Sequence, residues 1–141
     1  MIVVDSSAVA AILFDESEAA AVMAALAAQG ERVLSAASYL EVGTVLAGRR
    51  KTAPERAQQD LDAFLREADI DIASVDEHQA RLALQARIEY GRGFGARGSL
   101  NFGDCFSYAL AKTLNAPLLY VGDDFARTDV TSALGSTNAK P

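Results

Sequence analysis

Two short apolar segments near opposite ends of the chain are each followed directly by acidic residues. Residues 1–4 precede Asp5, and residues 118–121 precede, after one glycine, the pair Asp123 and Asp124. Short runs of β-branched and other apolar side chains are typical of strands buried in a parallel sheet. Because binding sites in open parallel sheets form beyond the carboxyl ends of the strands, these acids are predicted to lie along one rim.

The segment between these two strands alternates helical patterns with brief apolar runs. Further strands are predicted at residues 33–34 and 69–73. Helices are predicted over residues 8–14 and 16–28, from Ser35 or Ser38 to 48, from about 52 to 68, from Ser74 or Asp76 to about 88, and over residues 101–114. Since strands alternate with helices, the sequence predicts an α/β fold with a short, mainly parallel sheet.

One domain accounts for the whole pattern. The chain has 141 residues, which suits a single core, and it contains no repeat or linker. Residues 1–134 are therefore predicted to form one domain, and the small and polar residues 135–141 a disordered tail. Half of the residues are hydrophobic and 23% are charged, a balance typical of soluble globular proteins.

The sequence favours a cytoplasmic protein. No apolar run approaches the ~20 residues that a membrane span needs, and no basic leader segment precedes the first strand. Cys105 is the single cysteine, which excludes an internal disulfide and fits a reducing compartment. The net charge of −6 argues against broad nonspecific binding of nucleic acid. It does not argue against a nuclease, because acidic metal ligands contribute to that charge.

Two further acids stand alone in apolar helical segments. Glu41 is the one charged residue between positions 36 and 48, and Asp104 is the one charged residue between positions 100 and 111. A helix that is apolar or small on nearly every face is expected to be buried, and a buried carboxylate needs a cation or strong hydrogen-bond donors. Asp104 also stands near the positive end of its helix dipole. Both acids are therefore candidates for the same site as Asp5.

Each acid also has an ordinary structural explanation. Asp5 can cap the first helix, and Asn101 with Asp104 has the spacing of a capping box. Asp123 and Asp124 can form an acidic turn after a strand. The interpretation as a site depends on all of these acids together. It depends most of all on Glu41, which has no Lys or Arg within one helical turn.

Four converging carboxylates would select a hard divalent cation. Two like charges ~4 Å apart repel by about 4 kcal/mol at an effective dielectric constant near 20, so the group would need a cation or retained protons. Oxygen ligands favour Mg²⁺ or Mn²⁺, and an ion of this kind activates water and neutralises a phosphodiester. Zinc is disfavoured because His78, predicted at the surface, and Cys105, predicted in the core, each stand alone.

Residues 91–98 form a glycine-rich basic segment. It lacks the dinucleotide-binding fingerprint, because it follows a helix and has Ala96 where the last glycine belongs. One interpretation is a flexible connection. The other is a nucleic-acid contact, in which Arg92 and Arg97 reach the backbone and Phe94 stacks on a base.

Four short motifs occur in a fixed order and are spread over nearly the whole chain. They are Asp5–Ala8, Ser38–Glu41, Asn101–Tyr108 and Gly122–Phe125, the last followed by Thr128 and Asp129. This order resembles that of PIN-domain ribonucleases, and most of all that of bacterial VapC-type toxins. The resemblance implies a three-layer α/β/α fold with a short, mainly parallel sheet. It also implies a Mg²⁺-dependent endoribonuclease of a type II toxin–antitoxin system.

The resemblance further implies roles for individual residues. The acids of the family fall on Asp5, Glu41 and Asp104, with a less constant fourth acid assigned to Asp124, although its neighbour in the turn stays open. Asp5 and Asp104 would hold the metal directly, while Glu41 and Asp124 would act through water or a second ion. Ser6 would support the site by hydrogen bonding. An RNA substrate, a VapB-type antitoxin that blocks the site and a homodimer are the implied partners.

Two other kinds of protein compete with the nuclease interpretation. A phosphoryl-transfer domain, of the receiver or the haloacid-dehalogenase phosphatase type, also places Mg²⁺ and an Asp at strand ends. The phosphatase pattern needs a second Asp where Ser7 stands, and a receiver needs paired acids after the first strand, which are absent. The other alternative is a catalytically inactive interaction module that keeps the acidic pocket.

Overall fold

A parallel sheet of four strands lies at the centre of the described part of the protein. The computed structural model describes residues 1–28, 30–50, 53–95 and 98–135. The strands are β1 (Ile2–Val4), β2 (Arg32–Ser35), β3 (Ile70–Ala73) and β4 (Leu118–Leu119). The helices are α1 (Ser6–Leu13), α2 (Ala19–Ala27), α3 (Ala36–Arg49), α4 (Arg56–Glu67), α5 (Glu77–Tyr90) and α6 (Asp104–Leu114). A pair of helices therefore separates each strand from the next along the chain.

Strand β1 occupies an inner position of this sheet. The strand order is β3-β2-β1-β4, and all neighbouring strands are parallel. Val3 pairs with Val33 of β2 on one side and with Leu118 of β4 on the other. The prediction of an α/β fold with a short parallel sheet is confirmed, and the two strands that precede acids are direct neighbours.

Side chains of β1 point alternately into two hydrophobic cores, one on each face of the sheet. Ile2 and Val4 belong to the core that helices α1 to α4 cover, together with Val42 and Leu61. Val3 belongs to the core that α5 and α6 cover. All three strand residues are at most 1% exposed. The fold therefore has the predicted three layers, α/β/α.

Side-chain hydrogen bonds show which of the two predicted residues caps helix α3 and which caps helix α5. Ser35, and not Ser38, caps α3 by accepting a hydrogen bond from the backbone N–H two residues further on (3.2 Å). Asp76, and not Ser74, caps α5 by accepting one from the backbone N–H three residues further on (2.8 Å). Helix α2 begins at Ala19, later than predicted, because the chain first turns after α1.

Helix α3 is more exposed than predicted. Val42 and Leu46 on its inner face are buried, but Leu40 and Val45 on its outer face are 70% and 43% exposed. The expectation that this helix is buried on nearly every face is wrong, because the sheet and the neighbouring helices cover only one side of a helix in an outer layer. Glu41 consequently lies at the boundary and is half-buried.

The glycine-rich segment is closed at its base. Arg92 N donates a hydrogen bond to Leu100 O (2.8 Å), across the neck of the loop. Gly98 lies so close to the carbonyl oxygen of Gly91 that a Cβ atom at position 98 would overlap it, so a glycine is required there. The base of this segment is thus closed by its own backbone, and the predicted flexible connection, which includes residues 96–97 outside the described ranges, stays a prediction.

Some predictions fall partly outside the described residues. Of the tail predicted at 135–141, only Gly135 is described, and the single domain predicted over residues 1–134 stays a prediction. In the part of the chain that the structure describes, no helix combines the length and the apolar character that crossing a bilayer requires.

Candidate active site

Asp5 follows β1 directly, and its side chain is buried (1% exposed). Its Oδ2 accepts a hydrogen bond from Ser7 N (3.0 Å), which makes Asp5 the N-cap of α1, one of its predicted roles. Its Oδ1 accepts a hydrogen bond from Ser107 Oγ (2.5 Å) of helix α6. Ser107 Oγ also lies 3.0 Å from Ser38 Oγ of helix α3. The carboxylate that caps α1 is therefore also bound to a helix 102 residues further along the chain.

Asp104 begins helix α6 and is 5% exposed. Its Oδ2 accepts a hydrogen bond from Asn101 N (2.9 Å), while Asp104 N donates to Asn101 Oδ1 (2.8 Å). These reciprocal bonds are those of the predicted capping box. Asp104 and Ser107 are three residues apart, so they share one face of α6. The bond from Ser107 to Asp5 therefore draws the two aspartates to the same side of this helix.

The pKa of Asp104 is raised from its ordinary value of 3.8 to about 8, and burial is the largest cause. The Asn101 N–H, which donates to the carboxylate, acts in the opposite direction. The negative charge of Asp5 and the nearby carboxyl of Asp124 also contribute to the increase. Without a cation, the Asp104 carboxyl therefore holds a proton at neutral pH.

Glu41 reaches the same place from helix α3. Its Oε1 accepts a hydrogen bond from Ser6 Oγ (2.9 Å), the support expected of Ser6. Its carboxylate lies against the turn before α6, where a Cβ atom at Gly103 would stand 2.5 Å from Oε2 and 2.7 Å from Oε1. Burial raises the pKa of Glu41, the Ser6 hydroxyl lowers it, and the charge of Asp5 raises it. Glu41 thus lies between the Asp5 side of the site and the start of α6.

Asp124 is the fourth acid of this group. The proximity of its carboxyl helps to raise the pKa of Asp104. Its backbone oxygen accepts a hydrogen bond from Ser99 Oγ (2.6 Å), and its Oδ1 lies 3.6 Å from Arg92 Nη2. Asp123, the alternative, is exposed and has no such contact with the other acids of the described residues. The structure therefore brings Asp124, rather than its neighbour, to the carboxylate group.

The structure describes only one of the two arginines that were predicted to contact nucleic acid. Arg92 lies beside Asp124 and donates a hydrogen bond to Ser99 O (3.1 Å), whereas Arg97 lies outside the described residues. Phe94 is 57% exposed, and the guanidinium of Arg87 lies 4.9 Å from the centre of its ring. One arginine of the segment is therefore at the rim of the acidic group.

Two contributors to this geometry were not singled out by their sequence pattern. Ser107 orients Asp5, and Gly103 leaves room for the carboxylate of Glu41. The three-residue spacing of Asp104 and Ser107 is a signal that both share a helix face. No comparable signal connects Gly103 with Glu41, because their contact depends on how α3 and α6 approach each other.

The acidic group, which consists of Asp5, Glu41, Asp104 and Asp124, offers oxygen ligands. No Lys or Arg side chain of the described residues lies at its centre. None of the four ion pairs within the described ranges includes Asp5, Glu41 or Asp104. In the same ranges, no three acidic, histidine or cysteine side chains stand close enough to hold one ion together. Mg²⁺ commonly binds through one or two carboxylates and keeps several water molecules. The predicted convergence of four carboxylates on one ion is therefore not found in this part of the chain, and a pair such as Asp5 and Asp104 is the donor set that would suit Mg²⁺ or Mn²⁺.

Comparison with protein families and curated proteins gives a consistent result. The sequence profile of the PIN domain family matches residues 2–130. VapC ribonuclease Mb0625 of Mycobacterium bovis is 51% identical over 132 residues, which are 94% of this chain and 97% of that protein. Ribonuclease VapC of Mycolicibacterium smegmatis is 43% identical over 130 residues, which are 92% of this chain and 98% of that protein.

Two solved structures have a similar fold. VapC20 of Mycobacterium tuberculosis, described as a toxin that cleaves the sarcin-ricin loop, aligns with a TM-score of 0.74 and 17% identity, over 93% of this chain and 97% of that one. A toxin–antitoxin complex from Klebsiella pneumoniae aligns with a TM-score of 0.65 and 18% identity, over 92% and 93% of the two chains. The structural likeness concerns the fold, and the sequence identity to the curated proteins adds the family. The chain therefore belongs to the PIN domain family, within its group of VapC ribonucleases.

Proposed function

We propose that this protein is a Mg²⁺-dependent endoribonuclease that hydrolyses RNA phosphodiester bonds. The main support is the convergence of Asp5, Glu41 and Asp104 from distant parts of the chain, with no cation to balance them in the described residues. A buried group of this kind destabilises the metal-free fold, so a role in chemistry explains it better than a role in packing. RNA as the substrate is supported by the names of the relatives, which are ribonucleases.

Asp5 and Asp104 are the residues that would hold the metal ion. When bound, Mg²⁺ supplies the positive charge that polarises a water molecule and balances the phosphodiester anion. Ser107 Oγ and Ser7 N fix the orientation of the Asp5 carboxylate, and Asn101 N fixes that of Asp104. Such partners hold ligands in place before the ion arrives.

Glu41 and Asp124 flank this pair and would act through water or a second ion. Both carboxylates can accept hydrogen bonds and protons from water molecules in the site. Arg92, whose guanidinium lies 3.6 Å from the Asp124 carboxylate, would contact an RNA phosphate. Arg97 is proposed for the same role on its charge and its place in the sequence alone.

A VapB-type antitoxin and a second copy of the chain are the proposed protein partners, in the cytoplasm. The VapC names of the relatives and the toxin–antitoxin complex of similar fold support the antitoxin. Leu84 and Ile88 of α5 support a homodimer, because they are 61% and 56% exposed and lie four residues apart on one helix face. Light scattering is expected to give twice the chain mass of 14.9 kDa, and the co-purified antitoxin is expected to suppress cleavage. A monomer, or cleavage that the antitoxin leaves unchanged, would contradict these assignments.

Metal removal tests the proposed reaction directly. The purified protein is expected to cut single-stranded RNA in the presence of Mg²⁺ or Mn²⁺, to stop in EDTA, and to recover fully when excess Mg²⁺ is added. Sequencing of RNA ends after a brief induction in cells would identify the cleavage site. Circular dichroism in EDTA serves as the control, because an unfolded protein would also lose activity.

Two outcomes would count against this function. Cleavage that persists in EDTA would exclude the metal-dependent reaction. A folded protein that cuts no RNA with any divalent cation would favour the alternative of a catalytically inactive interaction module that keeps the acidic pocket.

A further inference from the structure

The turn that leads into α6 carries an aromatic side chain in an unusual position. Phe102 is 72% exposed, the highest fraction among the large apolar side chains of the described residues. Large aromatic residues are normally buried, so an exposed one beside a polar site suggests contact with another molecule.

Phe102 lies between two residues that touch the carboxylate group. On one side Asn101 exchanges two hydrogen bonds with Asp104, and on the other Gly103 lies against the carboxylate of Glu41. Because consecutive Cα atoms are about 3.8 Å apart, the backbone of Phe102 is within one residue of both contacts. The backbone of this turn therefore lies beside the acidic group.

The ring is oriented by a second aromatic residue. Phe102 and Phe106 lie one helical turn apart, with ring centres separated by 5.2 Å and ring planes at 75°. This edge-to-face contact is a favourable geometry for two aromatic rings. It restricts the motion of Phe102 while most of the residue stays exposed, so the ring is available to a ligand in a defined orientation.

The carboxylates themselves offer no flat face on which a nucleobase can stack. They suit a cation and, through it, a phosphate, whereas a base is bound by stacking on an aromatic ring, which contributes roughly 5- to 150-fold in affinity. Phe94, predicted from the sequence to stack on a base, lies on the glycine-rich segment with the guanidinium of Arg87 over its ring. Phe102 is nearer in sequence to the acids and its ring contacts no cation among the residues that the structure describes.

We propose that Phe102 stacks on a base of single-stranded RNA next to the bond that is cut, and so positions the substrate. This inference rests on the proposed ribonuclease function. The backbone position between the residues that contact Asp104 and Glu41 favours RNA over a protein partner, because a substrate bound at these acids lies beside this turn.

A series of substitutions separates stacking from simple hydrophobic contact. Phe102→Tyr and Phe102→Trp keep an aromatic face, Phe102→Leu keeps apolar area without one, and Phe102→Ala removes both. In single-turnover cleavage of a short single-stranded RNA, the leucine and alanine variants are expected to raise the half-saturating RNA concentration about tenfold, with the maximal rate within about twofold. The tyrosine and tryptophan variants are expected to match the wild type.

Met23→Ala is the matched control, since Met23 is also exposed (57%) but belongs to helix α2. It is expected to leave the half-saturating concentration unchanged. Wild-type affinity in the leucine variant would overturn stacking. So would a Phe102→Ala variant with normal RNA affinity but an altered oligomeric mass or antitoxin affinity, which would assign the ring to a protein contact. If the wild type cut no RNA, the proposed function itself would fail. If the wild type and all the Phe102 variants cut RNA with equal affinity for it, only the role of Phe102 would be wrong.

Discussion

A protein carrying Asp104→Asn is expected to lose RNA cleavage by at least about 10³-fold and to gain stability at pH 8 when metal is absent. Loss of a residue that only supports a metal ligand costs about 10- to 100-fold, so loss of a ligand should cost more. The asparagine can still accept the hydrogen bond from Asn101 N, so the start of α6 is expected to form. Activity and stability should therefore change in opposite directions.

The stability gain follows from the raised pKa of Asp104. Between its ordinary value of 3.8 and about 8, the folded metal-free protein holds a proton on Asp104 that the unfolded chain has released. Because the folded state binds more protons, the free energy of unfolding falls as pH rises through this window, by at most ~1.4 kcal/mol per pH unit. Glu41, whose pKa burial also raises, contributes in the same direction. Asparagine removes the Asp104 contribution, which amounts to several kcal/mol at most.

Urea unfolding in EDTA at a series of pH values between 5 and 8 measures this effect. The wild type is expected to lose stability steadily across the series, and the Asp104→Asn variant much less. At pH 5 the difference between the two should be smaller than at pH 8, and it should vanish only below about pH 3.8, where the unfolded chain also holds the proton. A variant that is less stable than the wild type at pH 8 would show that the charge of Asp104 supports the fold, and the assignment as a metal ligand would lose its physical basis.

Gly103→Ala is expected to lower kcat/KM about 100-fold while leaving the unfolding temperature almost unchanged. Gly103 has φ −64° and ψ −37°, a conformation that alanine adopts readily. The added Cβ would stand 2.5 to 2.7 Å from the carboxylate of Glu41, which must therefore move away. Displacement of the flexible end of a side chain costs little stability. A displacement of about 1 Å at a reacting group can cost about 100-fold in rate.

Gly48→Ala is the control for this substitution, because nothing lies within 4 Å of a Cβ atom at that position in helix α3. It is expected to leave activity unchanged and to stabilise the helix slightly. A double-mutant cycle identifies the mechanism: Gly103→Ala combined with Glu41→Gln should be no slower than Glu41→Gln alone. If the two losses multiply, or if Gly103→Ala retains full activity, the proposed part of Glu41 in catalysis is wrong.

The fold was largely predictable because its signals are local. Apolar runs such as residues 118–121 identify strands, and acids directly after them identify the rim of a parallel sheet without knowledge of any contact. Capping residues are local as well, since Asp5 and Asn101 bond to atoms two and three residues away. For the same reason the ordinary structural roles of Asp5 and Asp104 were predicted together with their place in the site.

The contacts between distant segments were not predictable in this way. Glu41 was expected on a helix buried on nearly all sides, yet Leu40 beside it is 70% exposed, because only one side of α3 is covered. The position of Glu41 in the site followed from its isolation among apolar residues, but its neighbour Gly103 did not. The closure of the glycine-rich segment was also missed, since it depends on the Gly91 carbonyl meeting Gly98 across a loop.

Because β1 lies between two other strands of the sheet, the order of translation decides when β1 can pair with both of them. Strand β1 leaves the ribosome well before β4, which is one of its two neighbours in the sheet. Asp5 likewise waits for Ser107 and Asp104, about 100 positions later in synthesis. A nascent chain therefore carries only separate fragments of the acidic group, and the group can close only after helix α6 has been translated.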